Sequence, residues 1–199
     1  MAFRDFSFPD VIQNLDLTYS EVDLFGAVPP HELTAEFVER LHAGVELGLM
    51  VHTEKARSEF IIAPVLMEFR RIMAKAFGLF SGVEFNVDAS RGLNGFCDFL
   101  LTRSRLQSVL TTPVVAIVEA KNDNVRNGLG QCIAAMVAAR EFNAKAQPPI
   151  AAVHGVVTTG SVWKFLRLRD AEVTLDTNEL YIAEPGRIIG ILARILKAA

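Results

Sequence analysis

The chain has 199 residues, 51% of them hydrophobic and 22% charged, which suits one globular domain with a sizeable core and excludes a disordered chain. A formal net charge of −3 and a pI near 5.8 exclude a uniformly basic surface, so any phosphate contact needs a local basic cluster. With no N-terminal signal pattern and no apolar run long enough to span a bilayer, the expectation is a soluble, cytoplasmic protein with no membrane partner.

Residues 1–30 read as an N-terminal arm of a single domain spanning 1–199, packing Phe3, Phe6, Phe8, Tyr19 and Phe25 on the core; Asp10 to Leu17 within it suits a short helix or strand. From His31, Leu33, Phe37, Leu41 and Val45 recur every four residues and predict a helix reaching about Met50. Thr53 is the N-cap expected for a second helix with a wide apolar stripe, Phe60 to Ala76, that stops at Gly78. Pro64 inside that stripe predicts a kink, or a division near Ile62. Glu59, one position before the stripe, is the helical carboxylate best placed to approach a sheet.

After Gly78 the period changes to two. Val83, Phe85 and Val87 alternate with polar residues as a strand with one solvated face, Ser90 to Gly95 is a turn, and Phe96 to Leu101 is a buried strand carrying Asp98. Pro113 to Lys121 is the most informative stretch. Its five consecutive apolar residues, Val114 to Val118, four of them β-branched, suit a central strand covered on both faces. It ends in Glu119-Ala120-Lys121, which projects a carboxylate and an ammonium from one face, roughly 7 Å apart along the strand. Two charges at the rim of a buried strand are costly without partners or a task.

Asn122-Asp123-Asn124 is a cap-rich turn into a helix from Val125 to about Asn143, with Gln131 near its start and Gly128 and Gly130 where backbone can approach closely. Pro148-Pro149 ends this segment. Ile150 to Thr158 predicts a strand, Thr159-Gly160 a hairpin turn, and Ser161 to Arg169 its return strand; short polar strands up to Tyr181 and a helix from about Pro185 follow.

The series is a helix with Glu59, strands with Asp98 and then Glu119 and Lys121, and a helix with Gln131. Asp98, some twenty residues, then Glu-Ala-Lys ending an apolar strand resembles the PD-(D/E)XK nuclease superfamily over roughly Glu54 to Arg169. One departure is Cys97, which stands where the name-giving Pro would be. The resemblance implies an α/β fold, a mixed central β-sheet flanked by helices, of restriction-endonuclease-like type. It implies a metal-dependent phosphodiesterase or nuclease acting on nucleic acid, DNA in the first instance, as a homodimer. Asp98 and Glu119 would bind Mg2+ or Mn2+ with the Ala120 carbonyl as a third oxygen, Glu59 or in its place Glu54 would complete the shell, Lys121 would stand beside the attacking water, and Gln131 would orient water, phosphate or Lys121.

Plainer readings stand beside each assignment. Glu119 and Lys121 alone could be a salt-bridged strand end, although Asp98 brings a second carboxylate that a simple pair does not need. A non-catalytic nucleic-acid- or protein-binding module could keep the fold with vestigial site residues, and a small-molecule enzyme could use Lys121 as base if no carboxylate cluster surrounded it. The four histidines lack metal-ligand spacing, Cys97 and Cys132 read as reduced, buried thiols, and Trp163 and Phe165 as hairpin packing. Scattered basic residues, among them Arg57, Arg70, Arg71, Arg91, Arg126 and Lys164, could line a phosphate-binding rim or form an ordinary solvated surface.

Overall fold

A computed structural model describes residues 1–146 and 149–198. Seven strands, β1 (Thr18–Val22), β2 (Gly78–Glu84), β3 (Phe96–Thr102), β4 (Val114–Ala120), β5 (Val153–Thr158), β6 (Val162–Arg169) and β7 (Glu172–Tyr181), form one mixed sheet in the order β1-β7-β6-β5-β4-β3-β2. The β4–β5 and β1–β7 pairs are parallel and the rest antiparallel. Among the described residues six α-helices accompany it: α1 (Asp10–Asn14), α2 (Ala35–Val51), α3 (Glu54–Arg57), α4 (Ala63–Ile72), α5 (Arg126–Phe142) and α6 (Pro185–Ala198). The chain is therefore an α/β protein with a mixed sheet flanked by helices, the class its sequence predicts.

The apolar run of β4 behaves as its composition requires, with all seven residues buried. Ile117 enters the core on one face with α5 and the N-terminal segment, whereas Ala116, Val118 and Ala120 enter the core on the other with α2, α4 and α6. Helix α5 is buried nearly all round, because the sheet covers one side and Phe3 and Phe6 the other. A Cβ on Gly130 would collide with the Phe6 carbonyl, so the close passage of the N-terminal segment depends on that glycine.

Pro64 divides its helix as its missing N–H demands. A π-helical turn, Ser58–Ile62, separates α3 from α4, and the Phe60 carbonyl, which Pro64 cannot bond, lies against Gly44 of α2. Helix α2 starts at Ala35 rather than His31, because the Thr34 hydroxyl accepts from the Phe37 N–H. The helical stripe does not run to Gly78 as its sequence predicts. Helix α4 stops at Ile72, Ala74 and Lys75 turn the chain with φ of 50° and 56°, and Gly78 opens β2 instead. The alternation of Val83, Phe85 and Val87 carries antiparallel bonding past the end of β2, with Phe85 N–H donating to the Gly95 carbonyl and Val87 N–H to that of Leu93. A single ten-residue β7 replaces the short polar strands. Of the expected Pro148-Pro149 stop, Pro148 lies outside the described residues; α5 already ends at Phe142.

The start of β4 is fixed by a side chain. Buried Asn143 accepts from the Val114 N–H at 2.7 Å and donates to the Val114 carbonyl at 2.6 Å, next to a register shift between Leu101 and Thr102. Asn143→Ala strands both backbone groups, and urea unfolding should show a loss of roughly 2–3 kcal/mol; a loss under ~0.5 kcal/mol would show that the amide does not hold the strand.

Candidate functional site

The C-terminal ends of parallel strands β4 and β5, beside the start of α5, form the crevice where open α/β sheets place ligands. Glu119 and Lys121 share the Ile117 face of β4 and point toward α5. The Lys121 N–H extends the β4–β5 ladder by donating to the Thr158 carbonyl at 2.8 Å, which holds the Glu-Ala-Lys backbone straight. On the neighbouring strand the Asp98 carboxylate accepts the Ala120 N–H at 2.8 Å. Because the N–H and C=O of one strand residue point to the same edge, the Ala120 carbonyl also faces the Asp98 side. β2 pairs Ser81 with Phe99 and Val83 with Cys97, leaving Gly82, with φ of 61°, level with Asp98. A Cβ there would meet nothing within 4 Å, so the sheet surface at Gly82 is open.

Glu119 is only 2% exposed. Lys121 donates to Glu119 Oε1 at 2.7 Å and to Gln131 Oε1 at 3.2 Å, its own side chain 16% exposed. Burial pushes the Glu119 carboxyl up from its ordinary 4.5 to about 8, and the Asp98 charge and a hydrogen bond with Asp98 add to this against the pull of Lys121. Burial works against the Lys121 ammonium, but Glu119 first, then Glu54 and Asp98, outweigh it and hold the lysine charged. Helix α5 can come this close because position 128 is glycine: a Cβ there would lie 2.5 Å from Val157 Cγ1 and 3.0 Å from Lys121 Cγ.

Asp98, Glu119, Lys121, Gln131 and the Ala120 backbone thus meet at one place. Glu59 does not join them. It is exposed and pairs with Lys55 at 2.9 Å, an i,i+4 contact legible in the spacing. Glu54 is the acidic residue whose charge reaches Lys121, Asp98 and Asp123; partial burial raises its carboxyl, Lys121 opposes this, and the two aspartates reinforce it. Among the described residues, no group of three or more His, Cys, Asp or Glu side chains is placed to hold a metal ion. Mg2+, however, keeps several waters and commonly takes only one or two protein carboxylates, and two carboxylates with a backbone carbonyl are the hard oxygen donors that Mg2+ or Mn2+ prefer. The donor set therefore fits such an ion.

Arg57 has a different place from the solvated rim the sequence suggests. It is 7% exposed and donates to the Thr159 carbonyl at 2.8 Å and to Asn122 Oδ1 at 3.3 Å, tying the loop after β4 to the loop after β5. The signal was its position four residues before Ile61, on the buried stripe. Arg71 and Arg91 pair with Glu68 and Glu141, at 2.7 and 2.6 Å. Trp163 is fully buried and donates to the Gly160 carbonyl at 3.0 Å, as hairpin packing. Cys97 and Cys132 are free, buried thiols pushed up first by burial and then by Glu119. No helix among the described residues is long and apolar enough to cross a membrane.

Comparison with protein-family models, with curated proteins and with solved structures finds no match to this chain.

The raised Glu119 carboxyl has a consequence for stability. Between about pH 4.5 and 8 the unfolded chain has lost this proton while the folded chain keeps it, so stability falls as pH rises across that window. Thermal unfolding at pH 5, 6.5 and 8 should show the decline in wild type and a flatter profile in Glu119→Gln; parallel profiles would mean that Glu119 ionises freely in the folded state.

Proposed function

We propose that this protein is a metal-dependent phosphodiesterase of the PD-(D/E)XK type with a restriction-endonuclease-like fold, cleaving nucleic acid, DNA in the first instance, in the cytoplasm. The observation that carries this reading is the buried Glu119 carboxyl set between Asp98 and the Lys121 ammonium at the end of a central strand. A structural ion pair needs one acid and one base; here two carboxyl groups face one ammonium at a crevice, and a hard cation that displaces the Glu119 proton would find two oxygen donors there. Asp98, Glu119 and the Ala120 carbonyl would hold Mg2+ or Mn2+, which when bound neutralises phosphate charge and eases deprotonation of the attacking water.

The chain's own groups account for the rest. Lys121 presents a compact ammonium beside Glu119, where it can hydrogen-bond the attacking water and offset the charge that builds on the phosphoryl oxygens. Gln131, accepting from Lys121, fixes the direction of that ammonium and is a positioning residue. Glu54, at the mouth, replaces Glu59 as the outer carboxylate able to hold water near the metal position. Arg57 keeps the loops after β4 and β5 together, so the donor groups do not drift apart.

A second reading, a non-catalytic binding module with the same fold, is favoured by the two-carboxylate cluster and by the outward pairing of Glu59. Mutants separate the two. Lys121→Ala should abolish Mg2+- or Mn2+-dependent cleavage, at least 100-fold by the scale of lost transition-state stabilisation, while calorimetry still detects the metal. Asp98→Ala should lose both. Cleavage unchanged in purified Lys121→Ala, or no metal uptake by wild type, would count against the nuclease reading.

A further inference from the structure

At the opposite end of β5, and on the opposite face of the sheet, a cavity of about 710 Å³ opens between α6, the segment 24–31 and the strands β5 and β6. It is separate from the carboxylate site: His154, in its wall, is four residues and ~13 Å along the strand from Thr158, whose carbonyl bonds Lys121. The wall is fixed in place. The His31 N–H donates to the Gly186 carbonyl at 2.8 Å, and a Cβ on Gly190 would collide with the Pro29 carbonyl, so α6 and the 29–31 segment run in direct contact.

The lining is chemically lopsided. Arg167, Arg169, Arg194 and Lys197 contribute four cations, and no Asp or Glu lines the cavity. Among the described residues none of the four is in an ion pair. Two buried polar atoms in the wall also lack partners. One is Nδ1 of His154, a residue only 7% exposed, and the other is Nε of Arg167, its cross-strand neighbour on β6. Buried donors are rarely left unmade, since each costs the desolvation it suffered. Burial first, then Arg167 and Arg169, hold the imidazole down to about 4, so His154 is neutral near pH 7 and in one tautomer offers Nδ1–H as a donor. Apart from His31, the remaining wall is apolar, with Phe25, Val28, Pro29 and Pro30.

We propose that this cavity binds a small organic phosphate, its phosphoryl group between Arg167, Arg194, Lys197 and His154 and its carbon skeleton against Phe25, Val28 and the two prolines. Four cations without a counter-charge exceed what one carboxylate needs and suit a dianion, for which arginine offers paired donors. Inorganic phosphate would leave most of the volume empty, whereas about 710 Å³ lies in the ordinary range for small-molecule sites. The site owes nothing to the nuclease reading, and either can fail without the other.

Calorimetry with the full chain tests it, using AMP, ATP, glucose 6-phosphate, glycerol 3-phosphate and inorganic phosphate as titrants. At least one organic phosphate should bind more tightly than inorganic phosphate. That binding should weaken about tenfold or more in Arg194→Glu and in Lys197→Glu, both exposed on α6 and so harmless to folding, and persist in Lys121→Ala. The proposal is overturned if no organic phosphate outbinds inorganic phosphate, if binding survives both charge reversals, or if Lys121→Ala removes it.

Discussion

A carboxyl group with almost no access to water, lodged between a second carboxyl and an ammonium, is the constraint around which this structure is arranged. Glu119 cannot ionise cheaply where it sits, and it cannot be left without partners. Lys121 and Asp98 satisfy it from two sides, and each is in turn held by something else: Lys121 by Gln131 on α5, Asp98 by the Ala120 N–H. The rigidity of the group comes from the parallel β4–β5 ladder, which runs through Lys121, and from Arg57, which joins the loops that follow those strands.

Several features far from this group read as its supports. α5 must lie close enough for Gln131 to reach Lys121, and Gly128 permits that approach. The helix must also be covered on its outer side, which the N-terminal segment does at Gly130. Across the sheet, the π turn before Pro64 packs Ile61 against Gly160 in the β5–β6 turn, so the same helix that carries Glu54 and Arg57 is anchored on the hairpin. The sheet thus has two chemically distinct ends, an acidic one at the C-termini of β4 and β5 and a basic cavity where β5 begins.

Much of this was legible in the residue pattern because it depends on local rules. The β-branched run from Val114 to Val118 dictates a buried central strand, and strand alternation puts Glu119 and Lys121 on one face. Thr53 as an N-cap, the break before Pro64 and the Thr159-Gly160 turn are likewise short-range chemistry. What escaped depends on contacts distant in sequence. Glu59 lies on the correct helix, yet Lys55 one turn earlier claims it, and Glu54 in the first turn of α3 faces the crevice instead. Arg57 resembles a surface cation until its partners, Asn122 and the Thr159 carbonyl, are brought to it by the fold. The basic cavity joins residues from the first, penultimate and last stretches of the chain, and no periodicity announces it.

As a cation site, and not only a buried acid pair, Asp98 and Glu119 would hold an ion that diffraction can locate. Diffraction from crystals soaked in Mn2+, at a wavelength where manganese scatters anomalously, tests this directly. An anomalous peak is expected within about 2.0–2.6 Å of the Asp98 and Glu119 carboxylates and the Ala120 carbonyl. Saturating Mn2+ with no peak there, and Glu119 still bonded to Lys121 and Asp98 alone, would contradict the cation site.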